Sequence, residues 1–480
     1  MAAVPVTTIR GTQRLLGVSV RCCAAINKPL PPGPKPLPFI GNLLNYDKRM
    51  QVGDYRHVYD KYNSPIVMFN MVGMPLAFVS DVELAKQILR DRASDFTNGD
   101  PFRNVFGSLF PKSVIVVEGE QWQRIRRILI RAMQQTRIGN VMQPMCEIMD
   151  DFTKDLKEPV DMHRLAAEVT FDTFGRWGYD IDFGLRRGQN TDLLQACEEV
   201  AGCLASRTQS PPFLWKLPTP SKFRVDRAVE TTRHYAEQLV QERESKLTAS
   251  QDEYQSNILD AMIAASRAEE DARNRLTREE LVDNICTIFF GAYDTTSATI
   301  AFTMEFLARC PAAQERLANE LKDVDLTTLG ADGLQELKYL DAVCREANRL
   351  RSTAPAFPRT AKKDVEVGGY KIPKGTCILV DHTSITARDP QHWGGQTDLD
   401  DFRPDRWYDV KPHRLASLPF GFGSRMCIGT QLATMEHKLT TAVFVQKYRW
   451  SCDPNRPMEI TMKLGKCPAN GCWLIPESRQ

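Results

Sequence analysis

The fold of this chain is decided by the stretch Pro419-Phe-Gly-Phe-Gly-Ser-Arg-Met-Cys-Ile-Gly-Thr-Gln-Leu-Ala433. Its cysteine ends a glycine-rich turn and lies just before Thr430 to Gln446, whose pattern predicts a helix. A helix N-terminus favours negative charge, so a thiolate is stabilised there. A lone cysteine in such a turn is usually a small buried hydrophobic residue. Here five spaced positions indicate a ligand site instead: Phe420, Gly423, Arg425, Cys427 and Gly429.

Each position has a physical role if Cys427 is the thiolate ligand of a haem iron. A thiolate pushes electron density onto the iron and favours O–O cleavage. Gly423 and Gly429 remove Cβ atoms where the backbone must closely approach a flat macrocycle. Backbone N–H groups near the sulfur tune its potential, and Arg425 can form a charge-assisted bond to a haem propionate.

The segment resembles the haem-binding signature of the cytochrome P450 superfamily, of the eukaryotic type. The resemblance implies that haem b is bound by the signature positions and that Cys427 is its metal ligand. Together with mostly helical periodicity, it implies a mainly α fold with small β-sheets, in which a single domain carries one long central helix across the haem. Further family motifs lie upstream in the expected order, from Pro31 to Cys427.

A long helix is predicted in the middle of the chain. Thr277-x-x-Glu280 forms a capping box before an apolar run, and helical character continues to Arg309, where Cys310-Pro311 ends it. The helix has roughly 30 residues and is about 45 Å long, enough to cross the whole domain.

Polar residues interrupt the apolar middle of this helix. An acid and a threonine, Asp294 and Thr295, are costly to bury, which indicates that they have a functional role. Gly291 lets a ligand approach the helix backbone. The segment is similar to the family's oxygen-activation motif, with Ala292 where glycine is commoner. That match implies that Thr295 hydrogen-bonds the bound dioxygen and that Asp294 relays protons. The alternative is a buried aspartate paired with a structural arginine or lysine.

Other cofactor contacts follow from the resemblance. Trp122 and Arg126 are one helical turn apart, so an indole N–H and a guanidinium face the same way. The family match assigns both to the haem propionates, although a surface aromatic–arginine pair is a common alternative. Arg359, in the extended segment after Pro358, is assigned to a propionate by the same match.

Three charged residues are predicted to be structural. Glu346 and Arg349 form an E-x-x-R pair on one helix face, and Pro404-Asp-Arg406-Trp407 supplies a second arginine. In the family this set fixes the scaffold on the haem side. Glu346, Arg349 and Arg406 are therefore assigned to the scaffold and not to catalysis.

The N-terminus is basic. Residues 1–46 contain no acid and five Lys or Arg residues, so residues 1–28 are predicted to be a targeting or anchoring segment. The apolar run Leu15–Val20 is much shorter than the ~20 residues that span a bilayer. Residues 29–38 form a proline-rich hinge, and 29–480 is predicted to be the haem domain. An unstructured tail is the alternative for the first segment.

Composition limits the classes of partner and the cellular compartment that the sequence suggests. The net charge of +2 gives no indication of nucleic-acid binding, and 13 scattered cysteines favour a reducing compartment. Strand pairs are predicted for Ile66–Val79, Asp364–Val380 and Gly465–Trp473.

The sequence thus predicts a membrane-associated cytochrome P450 monooxygenase. By this resemblance we expect it to insert one atom of O₂ into an apolar substrate with electrons from an external donor, either a diflavin reductase or a ferredoxin. Peripheral membrane association is expected, at the mitochondrion or the endoplasmic reticulum. Arg345 and Arg351 are candidates for a basic docking face. The alternatives are an O₂-independent isomerase or dehydratase, which Asp294 and Thr295 disfavour, and a non-catalytic haem gas sensor. The sequence leaves the substrate open.

Overall fold

The computed structural model describes residues 26–135, 142–154, 156–208, 210, 212–249, 257–388, 390–413 and 415–479. Most of the predicted targeting segment, residues 1–25, lies outside the described residues. The prediction of a mainly α fold with small β-sheets is confirmed.

The helices and strands follow one another along the whole described chain. The α-helices are α1 (Lys48–Gln51), α2 (Arg56–Tyr62), α3 (Val82–Lys86), α4 (Asp100–Gly107), α5 (Gly119–Gln135), α6 (Met142–Thr153), α7 (Met162–Phe174), α8 (Thr191–Thr208), α9 (Pro220–Ala249), α10 (Ile258–Arg267), α11 (Arg278–Arg309), α12 (Pro311–Leu321), α13 (Gly330–Glu336), α14 (Lys338–Leu350), α15 (His382–Arg388), α16 (Arg406–Asp409) and α17 (Thr430–Lys447). The strands are β1 (Ile66–Met71), β2 (Met74–Val79), β3 (Phe96–Thr97), β4 (Val160–Asp161), β5 (Ala356–Ala361), β6 (Val365–Val367), β7 (Tyr370–Ile372), β8 (Cys377–Asp381), β9 (Tyr448–Cys452), β10 (Ile460–Met462), β11 (Lys466–Pro468) and β12 (Trp473–Ser478).

The long central helix α11 has the predicted ends. Thr277 caps it, and both bonds of the capping box with Glu280 are present. The helix has 32 residues, most of them buried, and packs against α7, α14 and α17. Cys310 ends it and Pro311 begins α12, because proline cannot continue the hydrogen-bond ladder of the preceding helix.

The largest sheet combines distant parts of the chain. Its strand order is β1-β2-β8-β5-β3, with β1 and β2 forming the predicted hairpin. The predicted strand pair at Asp364–Val380 divides into two parts. β6 and β7 form a hairpin of their own, whereas β8 leaves it to pair in parallel with β2 and antiparallel with β5.

The C-terminal hairpin begins earlier than predicted. β10 pairs with β11 around a turn that is closed by the Lys463 N–H and the Gly465 carbonyl at 2.9 Å. Trp473 instead begins β12, which pairs with β9 and β4.

The proline-rich segment 29–38 lies against the sheets. The Met68 N–H donates to the Pro32 carbonyl at 2.9 Å, and the Lys371 N–H donates to the Pro29 carbonyl at 2.8 Å. A Cβ on Gly33 would lie 1.8 Å from the Met68 carbonyl oxygen, so only glycine fits at this contact. None of the helices in the described part of the chain is long and apolar enough to span a bilayer.

Candidate haem-thiolate site

The cysteine loop is held by its own backbone. The Cys427 N–H donates to the Phe420 carbonyl at 2.9 Å, and the Met426 N–H donates to the Gly423 carbonyl at 3.2 Å. Gly421 and Gly423 have φ of +77° and +79°, a conformation that favours glycine. Gly421 was not singled out in the sequence, because the left-handed backbone depends on how this loop turns.

The two signature glycines have different neighbours. A Cβ on Gly423 would lie 2.1 Å from the carbonyl oxygen of Leu89, so its close approach is to protein backbone. A Cβ on Gly429 would lie 3.8 Å from Cys427 Sγ, an ordinary contact. Gly429 is the N-cap of α17, so the cysteine lies just before a helix N-terminus, as its spacing indicated.

Cys427 is accessible to solvent. Among the cysteines that the structure describes, Cys427 alone is exposed. The surrounding protein nevertheless desolvates the thiol enough to raise its pKa, while the Gly429 N–H, Arg126 and the Thr430 hydroxyl act in the opposite direction. An accessible thiol among these groups suits a metal ligand better than a packing role.

Arg425 joins the cysteine loop to the segment before α5. Its guanidinium pairs with Glu118 at 2.7 Å and donates to the Val114 and Val117 carbonyls at 3.3 and 3.2 Å. It also lies 4.0 Å from the centre of the Trp122 ring. The sequence did not single out Glu118, which carries no local signal of this contact.

The same segment is tied to α11. The Val114 N–H donates to Asn284 at 2.9 Å, and the Lys112 N–H donates to Asp283 at 2.7 Å. Residues 112–118 therefore connect the long helix to the cysteine loop.

Unlike Arg425, the guanidiniums of Arg126 and Arg359 have no acidic partner among the described residues. Arg126 donates to the Met426 carbonyl at 2.7 Å, and Arg359 donates to Asn98 at 3.1 Å and to the Pro358 carbonyl at 2.8 Å. Within the described residues, no carboxylate lies within 4.0 Å of either guanidinium. Burial lowers the pKa of Arg359 to about 10 and also lowers that of Arg126.

On this side of the site Arg425 is paired with Glu118, whereas Arg126 and Arg359 have no carboxylate partner among the described residues. Burial, with Arg359 and Arg103 nearby, lowers the pKa of Arg425 to about 10 against the opposing effect of Glu118. Buried cations are normally paired. The two propionates of a haem would supply the missing negative charge, so these residues fit that group.

The middle of α11 has one open face. Gly291 is exposed although Phe289 and Phe290 beside it are buried, and a Cβ on Gly291 would meet no atom within 4 Å. The Thr295 hydroxyl donates to the Gly291 carbonyl at 3.2 Å, one turn back. A flat ligand can therefore approach the helix backbone at this face.

Asp294 is buried without a cationic partner. No Lys or Arg of the described residues lies within 4.0 Å of its carboxylate, in contrast to the alternative of a structural ion pair. Burial raises its pKa to about 6, with a lowering effect from Lys463 and a raising one from Glu198. An acid with this pKa can take up and release protons near neutral pH.

The predicted scaffold residues are in direct contact. Arg349 donates two bonds to Glu346, both at 2.8 Å, and Arg406 donates one at 3.1 Å. All three side chains are fully buried. Trp407 adds an indole N–H bond to Glu346 at 3.0 Å, and Asp398 pairs with Arg406 at 3.0 Å.

The comparisons with known proteins agree with this geometry. The family model described as Cytochrome P450 matches residues 31–471. Cytochrome P450 3A6 of Oryctolagus cuniculus is 29% identical over 463 residues, covering 91% of this chain and 88% of that protein. Cytochrome P450 3A41 of Mus musculus is 28% identical over 462 residues, with the same coverage. The solved structure of retinoic acid-bound cyanobacterial CYP120A1 has a TM-score of 0.80 at 21% identity, covering 94% of this chain and 100% of its own.

Proposed function

Because the chain belongs to the cytochrome P450 family and is a haem-dependent monooxygenase, we propose that it binds haem b through Cys427 and oxidises an apolar organic substrate. One observation carries the assignment of the site. An accessible thiol before a helix N-terminus lies beside Arg126, and Arg359 lies near Arg425; among the described residues neither Arg126 nor Arg359 has a carboxylate within 4.0 Å. That donor set matches a cofactor with one soft metal ligand position and two carboxylates.

Each residue around the cofactor has a distinct part in the proposal. Cys427 is the metal ligand, and Phe420, Gly423 and Gly429 shape its loop. Four side chains are assigned to the propionate side: Trp122, Arg126, Arg359 and Arg425. A bound haem would supply the activation of O₂ and the insertion of one of its two oxygen atoms into a C–H bond, while the other leaves as water with two electrons from the external donor.

Asp294 and Thr295 handle the protons in this proposal. The Thr295 hydroxyl is fixed by its bond to the Gly291 carbonyl and lies on the open face of α11. Asp294, the preceding residue, is buried and has a pKa of about 6. The pair therefore places an exchangeable proton next to an oriented hydroxyl.

The electrons are proposed to come from an external donor. Arg345 is 51% exposed and lies 3.9 Å from the Trp407 ring, so it can belong to a docking face for an acidic partner. Arg351 is less suited to docking than its sequence position indicated. Its side chain is 15% exposed, pairs with Glu305 at 2.9 Å and lies 4.4 Å from the Phe306 ring.

Peripheral membrane association of the protein is proposed because two groups of apolar side chains are exposed. Phe39 and Leu44 in the N-terminal region are 95% and 76% exposed, and Phe213 and Phe223 are 69% and 61% exposed. Aromatic and aliphatic side chains of this kind insert at a lipid interface. Vesicle flotation tests this, because replacing Phe39 and Leu44 by serine should release the protein, and unchanged flotation would contradict the proposal.

The ferrous–CO spectrum tests the ligand assignment. Wild-type protein should show the red-shifted Soret band of a thiolate-ligated ferrous–CO haem, and Cys427→Ser should lose it. Cys310→Ser, at the partly buried end of α11, is the matched control and should keep the band. Retention of the band in Cys427→Ser would disprove the assignment.

The rate of ferrous–CO formation tests the donor and the domain division. NADPH is supplied through a ferredoxin chain or through a diflavin reductase. Fast reduction by the ferredoxin chain alone would support a mitochondrial enzyme, with residues 1–28 as a targeting segment and 29–480 as the haem domain. Fast reduction by the diflavin reductase alone would support the endoplasmic reticulum and an anchoring role. Reduction by neither would favour the isomerase alternative.

A further inference from the structure

Three consecutive titratable side chains are buried in the middle of α17. Glu436, His437 and Lys438 are 1%, 3% and 6% exposed, and the proposed chemistry uses none of them. Successive residues of a helix point about 100° apart, so the three side chains face different neighbours. Because burying a polar group is costly unless it is bonded, their partners indicate what they do.

Two of the three side chains join α17 to other helices. His437 Nε2 lies 2.7 Å from the Thr303 hydroxyl of α11. Lys438 Nζ pairs with Asp341 of α14 at 2.7 Å. Helix α11 carries the open face at Gly291, and α14 carries two residues of the buried scaffold. The helix that follows the cysteine loop is therefore bonded to both.

The Thr303 hydroxyl is the last of a row of three on α11. Thr295, Thr299 and Thr303 each donate to the carbonyl four residues back, at 3.2, 2.8 and 2.8 Å. A hydroxyl has only one hydrogen to donate. Because Thr303 gives its hydrogen to the Thr299 carbonyl, its oxygen accepts from His437, whose ring proton is therefore on Nε2. Burial, with Lys438 beside it, lowers the pKa of His437 to about 3, so the ring is neutral.

Both helices run from the cysteine site to this contact. At 1.5 Å per residue, Thr303 lies roughly 18 Å along α11 from Gly291, and His437 lies about 12 Å along α17 from the N-cap Gly429. The ends near the site are the open face of α11 and the loop of Cys427. The contact between Thr303 and His437 therefore affects how α17 lies beside α11 at the site.

A hydrogen bond fixes this placement more narrowly than apolar contacts do. Apolar contacts have no preferred direction, whereas an N–H···O bond weakens away from about 2.7–3.2 Å and from a straight approach. A buried polar contact can in this way select one register between two helices. The separation between Cys427 and the open face of α11 then depends on a bond outside the site.

We propose that His437 is a positioning residue of the haem-thiolate site, which acts through Thr303 to fix the gap between Cys427 and the open face of α11. This gap is where the cofactor and a ligand bound to it are held. The inference rests on the proposed function, because it assigns a further residue to that same site.

Spectral titration of the haem-loaded protein with imidazole and with 4-phenylimidazole tests this role. Imidazole needs only the iron, whereas the phenyl ring extends the larger ligand toward α11. His437→Phe and Thr303→Val nearly keep the side-chain size and remove the bond. Each should weaken 4-phenylimidazole binding by about 3–10-fold, which is as much as one hydrogen bond can contribute. Imidazole binding should stay unchanged, because only the larger ligand has to order a gap that is no longer held in advance.

Further variants separate the bond from general stability. His437→Phe and Thr303→Val remove the same bond, so the double variant should bind 4-phenylimidazole no more weakly than either single variant. His437→Gln keeps a donor N–H and should restore affinity. Thr232→Val is the matched control, because this buried threonine of α9 donates to the Ala228 carbonyl at 2.7 Å, one turn back. It should bind both azoles as the wild type does.

The position of the ring proton is a second measurement, and it does not depend on azole binding. Nitrogen-15 NMR of the histidine-labelled ferrous–CO protein should show a neutral His437 ring with its proton on Nε2. The spectrum of His437→Phe assigns the signal, and Thr303→Val should shift it. A proton on Nδ1 would overturn the proposed bond.

The outcomes separate this inference from the proposed function. Unchanged 4-phenylimidazole affinity in both single variants, additive losses in the double variant, or an equal loss in Thr232→Val would overturn the positioning role while the thiolate-type ferrous–CO band persists. If His437→Phe does not bind haem, Thr303→Val, which replaces one hydroxyl by a methyl group, gives the same measurement. Absence of the band in the wild type would overturn the proposed function, and the positioning role with it.

Discussion

Replacing Glu346 by alanine is expected to disrupt the buried scaffold beside the cysteine loop. The Glu346 carboxylate accepts two bonds from Arg349, one from Arg406, one from the Trp407 indole and one from the Arg403 N–H at 3.2 Å. Without it, two fully buried guanidiniums lose their shared anion.

The structure sets the size of the loss. Arg406 would keep Asp398 at 3.0 Å, but Arg349 would keep only carbonyl acceptors, with Leu399 at 2.7 Å. Removing one partner of a buried ion pair costs about 3–5 kcal/mol. Because a folded protein is stable by only about 5–15 kcal/mol, Glu346→Ala should yield apoprotein or aggregate.

Urea unfolding measures this loss, followed by far-ultraviolet circular dichroism and by Soret absorption, with the haem-to-protein ratio determined separately. Glu242→Ala is the matched control, since Glu242 is 56% exposed and pairs with Lys246 one turn away at 2.6 Å. This control should lower the free energy of unfolding by only about 0.3–0.5 kcal/mol. A triple variant, with leucine at position 346 and methionine at positions 349 and 406, leaves no unpaired charge. It should lower the free energy of unfolding by less than Glu346→Ala alone. Full haem occupancy with a loss below about 1 kcal/mol in Glu346→Ala would refute the reasoning.

Three further changes test the site and its support. Asp294→Asn should lower turnover by on the order of 10²-fold and remove the limb of the pH–rate profile near its pKa of about 6, and a retained limb would assign that titration elsewhere. Gly423→Ala should destabilise the fold by about 1–3 kcal/mol, because its Cβ would meet the Leu89 carbonyl, whereas Gly429→Ala has room. Urea unfolding of both variants checks this, and equal losses would contradict it. Burial raises the pKa of Glu436 well above 4.5, so the folded state binds the extra proton and stability should fall as pH rises above that value. Glu436→Gln should flatten this slope in urea midpoints measured from pH 5 to 8, and parallel slopes would exclude Glu436 as the cause.

Local signals predicted the parts of the fold that depend on local interactions. The capping box at Thr277 and the proline after Cys310 mark both ends of α11, because caps and stops act within a few residues. The position of β8 could not be predicted in the same way. Its apolar residues suit any buried strand, and its pairing with β2 joins segments far apart in the chain.

The candidate site likewise has parts that the local sequence predicts and parts that it does not. The spacing around Cys427 indicated a thiolate ligand, and the loop and the helix after it have the predicted form. The W-x-x-x-R spacing put Trp122 and Arg126 on one helix face, and the Arg126 guanidinium lies 5.8 Å from the centre of the Trp122 ring. The spacing did not show that Arg425 also stacks on Trp122 or that Arg126 donates to the Met426 carbonyl. Those partners lie far away in sequence, so helical periodicity carries no information about them.

The burial of Lys466, which is 8% exposed, likewise has no local signal. A lysine in a short strand is normally solvated. Its burial depends on the contact with Thr353, more than a hundred residues earlier in the chain.

The strand order of the five-stranded sheet also affects how the chain folds during translation. β2 pairs with β8, with Leu76 opposite Cys377, so about 300 residues must be translated between the two partners, which takes on the order of 15–60 s at roughly 5–20 residues per second. During that interval the nascent β1–β2 hairpin presents an apolar strand with an open edge, which invites aggregation. Synonymous codons that slow the ribosome between these strands would lengthen the exposure and lower the yield of soluble protein, although the amino-acid sequence stays the same.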